Sequence, residues 1–375
     1  MIYGRDKLPS YNSNSRVFSK DVLYLRGGEK ESNGNIDNYK LKNRIKNYHK
    51  LRKIMLLLNR NDCLEKKIFN GEEGYTIKNI INLEKKIGSD SKYGTIYLTG
   101  VKNHHITYPI ATKIMEFDEY NIQEINIMIN IVKNILLKEF SRHFLIIYGY
   151  AICNKPIDEK LRVISINELA DGDLKMLTSK PEFLNDNELI LNILFQTFIS
   201  IATFHNIVGY IHKDTHYGNF LYQENNEIGY YHYIFNGKDY YLKSCKYNIM
   251  IYDYGFATKI NTIDNHKKKK DNKYIYKDYK KISNAFINEN NNGWIEHPNL
   301  PNSYITNIIK NVRKILIHNI KLELDNMKYY RNEELYSKRL FADIIENIFL
   351  KYTPDGMFVT MRPQNVINDT PFIIG

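Results

Sequence analysis

The fold is decided by the stretch His212-Lys-Asp-Thr-His-Tyr-Gly-Asn219, which Asp253-Tyr-Gly255 follows after an apolar run of β-strand type. A carboxylate at Asp214 and a carboxamide at Asn219 suit a tight loop whose ends serve an acceptor hydroxyl and a metal ion. Asp253, before a glycine, supplies a second oxygen ligand for that metal. Phosphoryl transfer asks little more of a protein than a positioned acceptor, Mg²⁺ and fixed positive charge around the phosphates. The pattern therefore predicts phosphoryl transfer.

The pattern His-x-Asp-x-x-x-x-Asn followed by Asp-Tyr-Gly resembles the catalytic and metal-binding loops of protein-kinase-like phosphotransferases. The resemblance runs from about Ile87 to about Asp278. Further segments resemble parts of that fold in the same order: the strand Ile110–Met115, the helix start Gln123–Met128, the strand Phe144–Tyr150, the hinge Leu169–Leu174, the apolar helix Leu189–His205, and the strands Phe220–Tyr222 and Asn248–Tyr252. The resemblance implies an α+β, bilobal fold with a five-stranded antiparallel N-lobe and a reduced, mainly helical C-lobe.

The resemblance also implies roles for individual residues and two cofactors, ATP and Mg²⁺. Asp214 would orient the acceptor hydroxyl and take its proton, while Asn219 and Asp253 would hold Mg²⁺. Lys113, held by Glu124, would fix the phosphates. His212 is expected to pack under the metal loop, and Asp278 to brace the catalytic loop. The remaining residues expected to contact ATP are Gly88 and Gly94 of a glycine loop that lacks its middle glycine, and Glu168 and Ala170 at the hinge.

Two departures bear on the acceptor. His216 stands where protein kinases usually carry a lysine, and the Asp-x-His-x-Gly-Asn arrangement resembles small-molecule phosphotransferases of the aminoglycoside and ABC1 type. We still assign His216 to the catalytic group, as a cation beside the transferring phosphate. Lys213 stands where protein kinases carry the arginine that binds the phosphorylated activation loop. A guanidinium binds phosphate with better-matched geometry than an ammonium does. Regulation by phosphorylation of that loop is therefore not expected.

The favoured function is an ATP- and Mg²⁺-dependent serine/threonine protein kinase. The abundance of Asn, Ile, Lys and Tyr, together with the loop variants, resembles the divergent protein kinases of large DNA viruses. A small-molecule kinase is the first alternative. A pseudokinase or virion scaffold is the second, although such proteins usually lose a metal ligand or the phosphate-binding lysine, and both are present here.

The sequence predicts four regions. Residues 1–75 form a basic N-terminal extension, 76–168 the N-lobe, 169–352 the C-lobe and 353–375 a tail. Residues 230–247 are expected to form an inserted tyrosine-rich hairpin near the mouth of the active site, because Asn236-Gly237 is a strong hairpin signal.

The chain of 375 residues has a formal net charge of +11. Between Lys40 and Lys53, basic residues flank an apolar stripe whose spacing predicts an amphipathic helix; the stripe is Leu41, Ile45, Tyr48, Met55 and Leu58. We expect this helix to pack on the core. Contact of its basic faces with an anionic membrane or with nucleic acid is the alternative. A protein substrate is the expected partner, and the sequence does not indicate an oligomeric state.

Cys63, Cys153 and Cys245 show neither a metal-binding spacing nor an obvious disulfide set, which fits a reducing compartment. No secretory signal is evident at the N-terminus, and the most apolar stretch is shorter than a bilayer requires. These features predict a cytoplasmic protein, in the host cytoplasm or in the virion if the protein is viral.

Overall fold

The computed structural model describes much of the chain from residue 39 to residue 375. The described residues are 39–58, 62–69, 71–91, 94–101, 110–157, 160–261, 263–283, 286, 303–326 and 335–375. Residues 1–38 of the predicted extension, and Lys92 and Tyr93 of the predicted glycine loop, lie outside them. The fold is of the mixed α+β class that the sequence predicted, with a curled antiparallel sheet.

The N-terminal half of the described chain forms one antiparallel sheet of seven strands, in the order β1-β2-β3-β4-β5-β7-β6. The strands are β1 Leu64–Phe69, β2 Glu72–Ile77, β3 Ile81–Ser91, β4 Gly94–Val101, β5 Ile110–Glu116, β6 Ile147–Ile157 and β7 Lys160–Glu168. Five strands were expected; the additional pair is the β1–β2 hairpin, and the boundary expected at residue 75 lies inside β2. The β1 sequence LEKKIF is largely charged and partly exposed. Such an edge strand shows little of the apolar alternation that indicates a strand.

A disulfide joins the two outer strands of this sheet. Cys63 directly precedes β1, and Cys153 lies in β6 at the opposite edge. Because their Cα atoms are 4.7 Å apart, the sheet curls until its edges meet. The expectation that the cysteines form no disulfide was wrong. The two thiols are 90 residues apart in sequence, and only closure of the sheet brings them together.

The rest of the chain is mainly helical and surrounds one buried helix. The helices are α1 Leu41–Met55, α2 Glu119–Ile131, α3 Leu174–Thr178, α4 Pro181–Leu184, α5 Asn187–Thr203, α6 Asn265–Ser283, α7 Ser303–Asn326, α8 Tyr336–Ile344 and α9 Leu350–Tyr352. With its final turn, α5 spans Asn187–Val208 and is the one helix among the described residues long and apolar enough to cross a membrane. Its apolar window is 89% buried in the protein, as expected of a core helix.

Short strands complete the C-terminal half in three small sheets, β13-β10-β8, β15-β12-β11-β16 and β14-β9. Their bounds are β8 Gly172–Asp173, β9 Tyr210–Ile211, β10 Phe220–Glu224, β11 Tyr230–Phe235, β12 Lys238–Lys243, β13 Tyr247–Ile251, β14 Thr258–Lys259, β15 Phe358–Val359 and β16 Phe372–Ile373. The loop from His212 to Asn219 follows β9 of the last of these sheets and ends at β10 of the first.

The tyrosine-rich hairpin forms across Asn236-Gly237, both of which have positive φ. Its strands pair with the C-terminal tail. β12 pairs with β15, and β11 pairs with β16. The tail, in which the sequence showed no motif, is thus an integral part of this sheet.

Helix α1 packs on the core as expected, and it buries a charge that the sequence placed on its outer face. Leu51, Ile54 and Met55 join the hydrophobic core. Arg44 is also buried, and its guanidinium donates to both carboxylate oxygens of Glu168 at 2.8 Å. A bidentate pair of this kind combines charge with fixed geometry. The helix is therefore attached to the end of β7 by an ion pair inside the core.

Candidate active site

The register of two strands brings Asn219 and Asp253 together. In the antiparallel pair β10–β13, Phe220 lies opposite Ile251. Asn219, just before β10, and Asp253, shortly after β13, therefore lie at the same end of the sheet. The backbone N–H of Tyr252 donates to the carbonyl of Asn219 at 2.9 Å and closes this end. Asp253 has φ of 62°, a region that non-glycine residues seldom adopt and that is common at functional sites.

Asp278 holds the backbone of the catalytic loop, as the sequence predicted. One carboxylate oxygen accepts from the backbone N–H of Lys213, and the other accepts from that of His212, both at 2.9 Å. The second oxygen also lies 2.9 Å from Nε2 of His205. Lys213 has φ of 68°, so this buried carboxylate stabilises a left-handed turn directly before Asp214.

Both carboxylate oxygens of Asp214 have polar neighbours. Lys281 of α6 places its ammonium 2.5 Å from Oδ1, while Nε2 of His216 lies 3.5 Å from Oδ2. Asn219 donates to the backbone carbonyl of Asp214 at 2.9 Å. Burial would raise the pKa of Asp214, but the hydrogen bonds from His216 and Lys281 and the positive charge of Lys281 outweigh it and hold the pKa well below its usual range. The group is therefore a carboxylate at neutral pH and able to accept a proton.

The two histidines of the motif have different surroundings. His212 is buried; its Nε2 lies 2.8 Å from the carbonyl of Tyr252, so it packs under the metal loop as predicted. Burial lowers the pKa of His212 and favours the neutral ring. His216 is only partly buried, and its Nδ1 accepts from the backbone N–H of Gly218 at 3.0 Å. That bond requires Nδ1 to be without a proton.

Lys113 and Glu124 form the expected pair across β5 and α2. The ammonium lies 3.0 Å from each carboxylate oxygen of Glu124 and 3.9 Å from Oδ1 of Asp253. Asp118 caps α2 by accepting from the backbone N–H of Asn121, which fixes where the helix carrying Glu124 begins. Burial would lower the pKa of Lys113, but the charges of Glu124 and Asp253 raise it well above its ordinary value. The lysine therefore stays positively charged beside the predicted metal ligands.

The remaining residues expected to contact the nucleotide lie in three separate segments of the chain. Gly88 lies within β3, and Gly94 begins β4 with φ of 143°, close to the backbone carbonyl of Ile114. A Cβ at Gly94 would approach that oxygen to 2.7 Å, so glycine is required there by packing. Ala170 is buried just beyond β7.

Glu168 does not offer its side chain to a ligand, because Arg44 occupies both of its oxygens. A contact of Glu168 with a nucleotide, as the sequence predicts, would therefore be made by its backbone.

A small apolar cluster lies beside the hinge, apart from the main core. It consists of Ile87, Leu98, Ala111 and Leu169, with Ile96 packed against it. Three strands and the hinge contribute to it, so its apolar surface faces the same region as Lys113, which follows Ala111 closely in β5. Such a surface is what a flat, largely apolar ring requires. The sequence did not predict this cluster. Alternation of apolar and polar residues in β4 indicates which face of the strand is buried, but it does not indicate which other residues pack against that face.

The donor set fits a hard cation. Asn219 and Asp253 present oxygen atoms, and Mg²⁺ is usually held by one or two carboxylates together with phosphate oxygens and water. Within the part of the chain that the structure describes, no group of three or more His, Cys, Asp and Glu side chains is placed to hold a metal by itself. A metal at this site would therefore depend on ligands that a bound phosphate provides.

A cavity of about 360 Å³ lies on another face of α2. It is lined by Ile122, Gln123, Asn126 and Tyr210 among others, whereas Glu124 points to Lys113 from the buried face. Gln123 also donates to the carbonyl of Ala257, shortly after the Asp-Tyr-Gly motif. The cavity is therefore separate from the cluster of charged residues described above.

Comparison with known proteins gives likenesses to solved structures and none to family models or curated sequences. No protein-family model matches the chain, and no curated protein matches it. Among solved structures, the chain is similar to one described as the crystal structure of a kinase domain, with 16% sequence identity and a TM-score of 0.35. The alignment covers 51% of this chain and 55% of the other, so the chain spans little more than half of that solved chain.

Proposed function

We propose that this chain is a phosphotransferase that uses Mg²⁺ and ATP and transfers the γ-phosphate to a hydroxyl group. One observation carries the proposal: Lys113, held by Glu124, lies 3.9 Å from Asp253, whose strand register places it beside Asn219. Fixed positive charge, two oxygen ligands for a metal, and the ionised Asp214 thus meet at one end of a sheet. Phosphoryl transfer needs these parts, and they act mainly by positioning and electrostatic stabilisation.

A protein serine or threonine is the acceptor that we favour. The segments from the strand of Lys113 to Asp278 occur in the same order as in protein kinases. Together with the composition, they resemble divergent viral protein kinases. The small-molecule alternative is favoured by His216, whose ring caps the turn at Gly218 in an Asp-x-His-x-Gly-Asn arrangement. Both acceptors use the same nucleotide and metal residues, so the two proposals differ only at the acceptor.

The metal requirement tests the proposal directly. ATP should raise the melting temperature of the protein with Mg²⁺, and by much less after Mg²⁺ is removed with EDTA. Asp253→Ala should abolish most of the Mg²⁺-dependent rise in melting temperature, because it removes a proposed metal ligand. The matched control is Asp325→Ala, which removes an exposed carboxylate of α7. Equal stabilisation by ATP with and without metal would contradict the proposal and favour the pseudokinase alternative.

A further inference from the structure

We propose that Lys281 is a catalytic residue that neutralises the transferring phosphoryl group. It would take the role of the lysine that protein kinases usually carry at the position of His216. The proposal rests on the phosphotransferase function above and adds a residue from a helix that lies outside the catalytic motif. Its first support is distance, because the ammonium of Lys281 lies 2.5 Å from Oδ1 of Asp214.

The fold fixes this contact. Asp278 binds the backbone of the catalytic loop, and Lys281 follows it by three residues in α6. Residues three apart lie on the same face of a helix. The hydroxyl of Thr215 also donates to the backbone carbonyl of Asp278 at 2.7 Å. The loop and this turn of α6 therefore form one unit that holds the ammonium beside Asp214.

His216 is poorly placed to supply the charge itself. Its Nδ1 accepts from the backbone N–H of Gly218, and a doubly protonated ring would lose that bond. A neutral ring can still donate from Nε2 toward Asp214. The imidazole thus shapes the loop, whereas Lys281 carries a permanent charge at neutral pH.

Proton transfer during the reaction allows the ammonium of Lys281 to interact with the phosphoryl group. The acceptor oxygen bonds to the γ-phosphorus as the bond from phosphorus to the β–γ bridging oxygen breaks, and ADP leaves with the electron pair. The acceptor proton moves to Asp214. Once Asp214 is neutral, its attraction for Lys281 weakens, and the ammonium can pair with an oxygen of the phosphoryl group. An interaction that strengthens as the reaction proceeds raises kcat more than it changes substrate binding.

The test compares Lys281→Met with Lys281→Arg and with the control Lys280→Met, whose side chain is exposed on the same helix. Release of ADP from Mg·ATP is measured with water as the acceptor of the phosphoryl group, so the natural acceptor need not be known. Lys281→Met should lower kcat on the order of 100-fold, the range for removing one electrostatic stabiliser. Mg·ATP should still raise its melting temperature as in the wild type. Lys281→Arg should keep more activity, and Lys280→Met should match the wild type.

The split between kcat and KM gives a readout that a merely structural role would not produce. Lys281→Met should lower kcat with little change in the KM for Mg·ATP, because the contact with the phosphoryl group forms only as the reaction proceeds. Lys280→Met should change neither.

Chemical protection tests the phosphate contact without turnover. Acetylation of Lys281, followed by mass spectrometry, should be slower with Mg·ADP and aluminium fluoride, which mimics the transferring phosphoryl group, than with Mg·ADP alone, while Lys280 reacts equally in both. Equal protection, or wild-type turnover in Lys281→Met, would overturn this inference and leave the proposed function standing. A wild-type protein that no nucleotide stabilises would overturn both.

Discussion

At the scale of single residues, the candidate site depends on carboxylates that differ in burial. Asp278 is buried and accepts two backbone N–H groups, so it serves the loop and not a substrate. Asp214 is partly exposed, with its charge stabilised by Lys281. The two aspartates therefore differ in role because their surroundings differ.

Asp214→Asn tests the role of that exposed carboxylate. The amide keeps the shape of the side chain but cannot take the acceptor proton, so turnover should fall by at least about 100-fold, the low end for a general base. Stabilisation by Mg·ATP should persist, because Lys113, Asn219 and Asp253 are unchanged. Turnover and melting temperature would be measured on the same preparation. Turnover equal to that of the wild type would show that Asp214 is not the base.

At the scale of elements, α1 is attached to the hinge. Arg44 also donates to the carbonyl groups of Arg142 and Phe144, and Tyr39, just before α1, donates to Asp171 just past the hinge. A helix predicted as a basic surface element thus packs against the segment that joins the two halves of the chain. Its exposed lysines leave the proposed contact with a membrane or nucleic acid open to test.

Arg44→Met should destabilise the protein by about 3–5 kcal/mol, because it leaves the buried Glu168 carboxylate without a positively charged partner. The measurement is urea-induced unfolding, with Lys46→Met, an exposed position of α1, as the control. Adding Glu168→Gln to Arg44→Met should cost less than the sum of the two single changes. Additive losses would mean that the two side chains do not interact.

The same comparison of elements shows what sequence could predict. Lys113 and Glu124 lie 11 residues apart on a strand and the helix after it, and the resemblance of these two segments to a kinase-like strand and helix was sufficient to pair them. Asn219 and Asp253 were marked by the motifs themselves.

The partners that sequence missed come from distant segments. Glu168 meets Arg44 from 124 residues away, and Lys281 meets Asp214 from 67 residues away. Arg44 and Lys281 each lie in a helix rich in basic residues, where a surface position is the ordinary expectation. Only the spacing of Lys281 from Asp278 offered a signal, since residues three apart share a helical face.

At the scale of the whole molecule, three long-range connections join segments that are distant in sequence. The disulfide closes the sheet, α1 joins the sheet to the hinge, and the tail pairs with the inserted hairpin. The core helix α5 supports the catalytic loop through His205, whose ring lies against Asp278. The residues proposed to bind the nucleotide come mainly from the sheet, and those proposed to act on the acceptor come from the helical half.

Transfer of phosphate tests the central claim most directly. The purified chain would be incubated with Mg²⁺ and γ-labelled ATP, together with a basic protein, an acidic protein and a pool of hydroxylated metabolites. The account predicts label on serine or threonine of a protein, abolished by EDTA and by Asp214→Asn. Label confined to the metabolites would contradict the protein acceptor and favour the small-molecule alternative. No transfer to any acceptor, with ATP bound equally well without Mg²⁺, would contradict the phosphotransferase function itself.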